Sequence, residues 1–202
     1  MSTSKTEIAN KALTLVGANP IVSLEDSSQN ARVVNRVYEL ALKSILSEAP
    51  WVFALRRSLL AQTTDVPGWY DTNEVYVYAM PNDCIRIFRT NDRSAIWRVV
   101  GSTIISDYSD LGVEFVYYNN SPSTYTASFV EAFSDKLCSD IAFMIVNSKT
   151  VAENFLEKYE KVSLAKAMAE NAQIGAPDYM YDNHWTIAKE GGDTDRADRS
   201  FS

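Results

Sequence analysis

The chain has 202 residues, 46% apolar and 22% charged, a composition that supports one sizeable core and excludes global disorder. Its longest apolar run, residues 141–146, is far shorter than the roughly 20 residues that span a bilayer, and the polar N-terminus lacks the apolar stretch of a secretion signal. From these two features we expect a protein made in a cytoplasm that contacts no membrane. The net charge is −7, so lysine and arginine are not in surplus for gripping DNA.

Two helices are predicted at the start of the chain. The first spans residues 5–16 and ends at Gly17, because glycine and the following Asn19-Pro20 pair stop a helix. The second runs from a serine cap near residue 28 to residue 49, where Pro50 stops it. Trp51 follows directly, and we expect it to be buried at the base of the long helix. The apolar stripe of the second helix comprises Ala31, Val34, Tyr38, Ala41, Leu42, Ile45 and Leu46.

The middle of the chain, residues 51–125, alternates in the manner of β-strands. Short alternating runs lie around residues 75–79, 84–87, 96–99 and 113–117, with polar turns between them. Short strands joined by short turns predict an antiparallel meander. This block is therefore expected to be a β-rich subdomain inserted between helices.

Helical spacing then returns in residues 128–147 and 150–174, before Gly175 and Pro177 close the last helix. Two helices before the strands and two after them predict an α+β fold, an antiparallel four-helix bundle with an inserted β-meander. In this interpretation residues 1–50 and 126–174 form one helical domain.

Residues 175–202 show no periodicity, yet they are rich in large apolar side chains, which a disordered tail usually lacks. We expect an extended arm that lies on a partner. Its candidate anchors are Tyr179, Tyr181, Trp185, Ile187 and Phe201. The competing interpretation is that the arm folds back over its own domain.

Several segments resemble, in order and spacing, the tail tubular protein A family, the head-to-tail adaptors of short-tailed bacteriophages. The resemblance covers residues 5–170 and is carried by packing motifs. These are Leu15-Val16-Gly17-Ala18, Pro20-Ile21, Ser23-Leu24, residues 28–31, Pro50-Trp51, Phe53-Ala54, Arg56-Arg57 with Leu60-Ala61, residues 78–85 and the helix at residues 129–145.

The resemblance implies a structural subunit of the virion neck, made in the host bacterial cytoplasm. Twelve copies would form a ring between the portal protein and the tail nozzle protein, and double-stranded DNA would leave through the hole without sequence-specific contact. A ring needs a head-to-tail interface that closes on itself. Val33, Val37 and Leu40 lie partly off the main stripe of the second helix and are either interface residues or ordinary core residues.

Four arginines of the strand block, Arg86, Arg89, Arg93 and Arg98, are candidates for contact with a partner protein or DNA. Neighbouring acidic residues keep that block nearly neutral, which favours contact with a partner protein or with solvent over contact with DNA.

No catalytic residue, cofactor site or metal site is predicted. Cys84 and Cys138 form no CxxC pair, and His184, the one histidine, lies in the arm. Carboxylate pairs such as Glu131 with Asp135 are expected by chance among 26 acidic residues, and we interpret this pair as part of a solvated helix face. The alternatives to a non-enzymatic adaptor are a virion-associated peptidoglycan hydrolase of the muramidase type and an unrelated helical partner-binding module.

Overall fold

The computed structural model describes residues 3–64, 69 and 75–174. Five α-helices lie in this part of the chain: α1 (Lys5–Leu15), α2 (Gln29–Glu48), α3 (Ala127–Val146), α4 (Lys149–Lys158) and α5 (Leu164–Ile174). A π-helical turn, Tyr159–Ser163, joins α4 to α5, so the two form one continuous rod. The helices begin and end close to where the sequence predicted them.

Polar side chains fix the helix starts. Ser4 accepts a hydrogen bond from the Glu7 N–H while the Glu7 carboxylate accepts one from the Ser4 N–H, a complete capping box. Thr126 caps α3 at the Phe129 N–H. Asn147 ends α3 in the left-handed region with φ of 51°, which asparagine tolerates better than most residues. These local signals explain why the helix bounds could be predicted.

The predicted four-helix bundle is wrong. α1, α2 and the α4–α5 rod each pack against α3, whereas α1 and α2 make little contact with each other. The reason lies in α3, which is buried on more than one side. Phe129 and Phe133 are buried on one face of the helix, and Ser134 and Asp135, which lie on another face, are buried too. A helix that is buried nearly all round takes a central place instead of sharing a core equally with three others.

The predicted β-meander is also wrong. Six strands lie in the described residues: β1 (Leu55–Leu59), β2 (Tyr76–Ala79), β3 (Cys84–Thr90), β4 (Trp97–Val100), β5 (Thr103–Ser106) and β6 (Gly112–Tyr117). They form two three-stranded antiparallel sheets, a first sheet in the order β1-β6-β3 and a second sheet in the order β2-β5-β4. β4 and β5 are the one consecutive pair that forms a hairpin within these sheets, at Gly101 with φ of 61°.

The first sheet lies between the helices and the second sheet. Alternate residues of β6 point to opposite faces, so Val116 joins the helical core while Val113 and Phe115 join a second core with Tyr78 and Ile104 of the second sheet. Helices, first sheet and second sheet therefore form three layers. The face of the first sheet that meets the helices carries the candidate site described next.

Candidate functional site

A cleft of about 550 Å³ opens at the end of the first sheet. Every residue that lines it belongs to β1, to β6, or to β3 and the turn after it. The lining residues are Arg57, Ser58, Leu59, Arg89, Thr90, Asn91, Arg93, Gly112, Val113 and Glu114.

Glu114 is the central charged group of the cleft. It lies in the middle of β6, two residues before Val116, and therefore shares the helix-facing side of the sheet with that residue. Val116 is covered by the helical core. Glu114 lies nearer the start of β6, where residues of strands and of a turn line the cleft. Only 9% of Glu114 is exposed, so its carboxylate requires compensation by partners.

Two arginines from neighbouring strands supply that compensation. Arg57 of β1 and Arg89 of β3 lie opposite Glu114 in the strand register. The Arg57 Nε donates to Oε1 at 3.1 Å, and the Arg89 Nε donates to Oε2. Each carboxylate oxygen thus has its own guanidinium partner. The three groups carry a net charge of +1, and Arg93 at the rim adds a second positive charge.

Asn91 and Gly112 hold the far wall of the cleft together. The Gly112 N–H donates to the Asn91 Oδ1 at 2.9 Å, and the Asn91 N–H donates to the Gly112 carbonyl at 2.8 Å. A Cβ atom on Gly112 would lie 3.2 Å from side-chain atoms of Asn91 and 3.3 Å from Leu59. A side chain at position 112 would require Asn91 or Leu59 to shift by a few tenths of an ångström, which favours glycine where the turn after β3 approaches β6.

Arg57 is a cationic group of the cleft that is open to solvent. Its side chain is 73% exposed, although its Nε is bound to Glu114. In the described part of the chain we find no further polar contact of Arg57, so its two Nη groups face solvent. A guanidinium that is fixed at one end and open at the other is preorganised to bind a carboxylate or phosphate group.

The four arginines that the sequence singled out do not form one surface. Arg89 and Arg93 line the cleft, but Arg86 donates to the Ser47 carbonyl at the end of α2 at 3.1 Å, and Arg98 lies on β4 in the second sheet. Sequence reasoning missed Glu114, although a glutamate within the apolar run of residues 113–117 was a signal for a compensated buried charge.

The three candidate interface residues of α2 also separate. Val33 and Val37 are half-buried and pack against the helical core, whereas Leu40 is 69% exposed. Leu40 is thus the one member of the set whose side chain is largely available to a partner.

The interpretation of Asp135 as part of a solvated helix face is wrong. Asp135 is 1% exposed, accepts a hydrogen bond from the Lys158 Nζ at 2.9 Å and accepts another from the Ser163 hydroxyl. Glu131 pairs separately with Lys166 at 2.8 Å, and the hydrogen bond from Lys166 lowers the pKa of Glu131. Two carboxylates that are each tied to a different lysine serve to join α3 to the α4–α5 rod.

The candidate arm residues, Tyr179, Tyr181, Trp185, Ile187 and Phe201, and also His184, lie outside the described residues. Within residues 3–64, 69 and 75–174, no group of three or more histidine, cysteine, aspartate or glutamate side chains could hold a metal ion. No helix in the same ranges is long and apolar enough to cross a membrane.

A scan against protein-family models finds no match to this chain, and no curated protein matches it.

Proposed function

We propose that this chain is a structural head-to-tail adaptor of a short-tailed phage, a ring-forming subunit located in the virion between the portal protein and the tail nozzle protein. The proposal starts from the ordered packing motifs over residues 5–170, which resemble that family. The structural observation that carries it is the exposure of large apolar side chains on separate helices of the same body.

These apolar side chains lie on α2, in the last turn of α3 and on the α4–α5 rod. Leu40 protrudes from α2, and Phe143 and Met144 protrude from the last turn of α3. Val162 is exposed on the rod that follows. A ring built by repeated head-to-tail contact requires two different surfaces on each copy, and exposed apolar residues on different elements supply candidates for both.

The charge of the chain is consistent with a channel protein. A net charge of −7 disfavours tight binding of a phosphate backbone, so DNA that passes through the ring would not be retained by it. The arm, residues 175–202, would provide attachment to the portal, with Trp185 and Tyr181 as anchors because large aromatic side chains contribute most to interface energy.

The direct test is the mass of the purified protein alone and after mixing with the portal protein of the same phage, measured by light scattering on a sizing column. We expect a complex with the mass of a portal carrying about twelve copies, as closed cyclic assembly requires. A protein that stays monomeric at high concentration and does not bind the portal would refute the proposal.

Two variants make the test specific for the α2 surface. Leu40→Gln should weaken association about tenfold per interface, because burial of a leucine side chain contributes about 1.5–3 kcal/mol. Val22→Gln is the matched control, since Val22 is at least as exposed but lies in the loop between α1 and α2. Equal association of both variants with the wild type would exclude Leu40 from the interface.

A truncation after Gly175 tests the arm. We expect the shortened chain to remain folded and to lose portal attachment. If truncation leaves attachment intact, or if it unfolds the helices, the arm does not serve as the portal anchor.

A further inference from the structure

The outer edge of β1 lies beside the arginine cleft. In the described residues β1 pairs with β6 alone, and it is the outer strand of the first sheet. The Leu60 N–H donates to the Leu111 carbonyl at 2.9 Å, which fixes the register of the ladder. By the alternation of antiparallel pairing, Ser58 and Arg56 bond to β6, whereas the N–H and C=O of Arg57 point away from it. Backbone groups on this edge can therefore accept another strand.

An added strand would bring its own side chains into the cleft. A residue that pairs with Arg57 places its side chain on the same face as Arg57 and Glu114. There it meets the open end of the Arg57 guanidinium. The residue two positions farther along lies opposite Leu59, which is 74% exposed and lines the same cleft. The edge thus offers a cationic position and an apolar position that lie two residues apart on one face of the strand.

We propose that the β1 edge and the cleft bind an extended segment of a partner protein, with a carboxylate side chain opposite Arg57 and an apolar side chain opposite Leu59. Backbone pairing supplies affinity, and the two side-chain positions supply specificity. The inference goes beyond the adaptor proposal and does not require a ring, because the site lies within one copy.

The charges favour a peptide over a nucleic acid. Glu114 occupies the centre of the cleft and offsets one of the arginines, so the described residues that line the cleft carry a net charge of +2. A phosphate backbone needs a continuous series of cations, but the next arginine along β1, Arg56, is paired with Asp83 at 2.5 Å. One carboxylate on an extended chain matches this local charge.

The probe is a fluorescent peptide of about eight residues that alternates threonine and valine. It carries a central glutamate, with leucine two residues before and two residues after it, so that either strand direction satisfies the pattern. Fluorescence anisotropy measures its binding to the full chain, and a second peptide with glutamine in place of glutamate is the matched control. We expect the glutamine peptide to bind about tenfold more weakly, since a charge-assisted hydrogen bond is replaced by a neutral one.

Protein variants locate the site. Arg57→Gln should also weaken binding of the glutamate peptide about tenfold. Arg56→Gln is the matched control because it removes the same charge from the adjacent residue of β1, and it should leave binding within about twofold because Arg56 lies on the other face. Slower hydrogen exchange at the Arg57 amide on addition of the peptide provides a readout in the wild-type chain that does not depend on the folding of a variant.

Four results would overturn the inference. Undetectable peptide binding would mean that the exposed arginines only protect the edge from unwanted strand pairing. Equal binding of the two peptides would show that the peptide carboxylate does not contribute to binding. Equal effects of Arg56→Gln and Arg57→Gln would show that Arg57 does not bind it specifically. Displacement of the peptide by a short single-stranded oligonucleotide at lower concentration than by the unlabelled peptide would assign the cleft to phosphate.

Discussion

Replacement of Trp51 tests how the helices are joined to the sheets. Trp51 is completely buried just after α2, as its position after Pro50 predicted. Its indole Nε1 donates to the Ile45 carbonyl at 2.8 Å. That carbonyl lies in the last turn of α2, where helical N–H partners for the carbonyls run out. The ring packs edge-on against Phe129 with centroids 4.9 Å apart. One side chain thus caps α2 and fills the core beneath it.

The magnitude follows from these two roles. Trp51→Ala leaves a large cavity in the helical core and should lower the free energy of unfolding by about 3–5 kcal/mol. With a urea m-value of about 2 kcal/mol/M, the midpoint should fall by about 2 M. Trp51→Phe keeps most of the ring and removes the donor, so its cost should be about 1–3 kcal/mol, the penalty of an unpaired buried carbonyl.

The assay is urea unfolding followed by far-UV circular dichroism, with m-values compared among the three proteins. Equal midpoints for the wild type and Trp51→Ala would refute the reasoning altogether. If Trp51→Phe costs as much as Trp51→Ala, the hydrogen bond dominates and the packing argument is wrong.

Three further predictions concern buried polar groups. Lys158→Met and Asp135→Asn should each lower the unfolding free energy and should be coupled by about 1–2 kcal/mol in a double-mutant cycle, because the lysine compensates a buried carboxylate. Asn171→Ala should cost about 1–3 kcal/mol in urea unfolding, since Asn171 accepts from the Val52 N–H at 2.8 Å and donates to the Pro50 carbonyl at 3.0 Å. Burial, and secondly the carboxylate of Asp135, raise the pKa of Cys138 to about 12, so this thiol should resist a thiol reagent at neutral pH until the chain unfolds. Because the unfolded thiol loses its proton near pH 9, Cys138 should also make stability fall as the pH rises above about 9, which Cys138→Ala should lessen.

Exposed counterparts on the same rod serve as controls. Glu157 and Lys161 form an ion pair that is open to solvent, and the coupling in their cycle should be below about 0.5 kcal/mol. Gln173 is exposed two residues after Asn171, and Gln173→Ala should leave the urea midpoint unchanged within error. Comparable effects at buried and exposed positions would contradict the roles assigned to the buried ones.

The helices could be predicted because their signals are local. The stripe of α2 from Ala31 to Leu46, the serine before it and Pro50 after it all lie within one segment, and each acts on its neighbours in the chain. Their arrangement could not be predicted in the same way. Whether α3 lies at the centre depends on what covers Asp135, and its partners come from elements more than 20 residues away.

The strands show the same limit more strongly. Alternation placed β2, β3, β4 and β6 near their true positions, but it carries no information about which strand pairs with which. β1 and β5 were missed because neither alternates clearly: β5 is buried on both faces, and β1 is mostly exposed. The cleft was unpredictable for a related reason. Arg57, Arg89 and Glu114 are separated by at least 25 residues, and only the order β1-β6-β3 brings them together.

Arg86 shows how a residue proposed for a partner can have a different role, and this role can be tested. Its guanidinium Nη1 donates to the Ser47 carbonyl at 3.1 Å, another orphan acceptor in the last turn of α2. A positive charge at a helix C-terminus is also favoured by the helix dipole. Arg86 of β3 therefore joins the first sheet to the same helix end that Trp51 caps.

We expect Arg86→Gln to lower the unfolding free energy by about 1 kcal/mol, the usual value of one hydrogen bond with a contribution from the dipole. Arg86→Lys should recover part of that loss, because the charge stays near the helix end while the planar fork is lost. Urea midpoints at low and high salt distinguish the two contributions, since salt screens the dipole term at this exposed site. If Arg86→Gln is as stable as the wild type at low salt, Arg86 does not secure the junction, and its side chain is available to a partner after all.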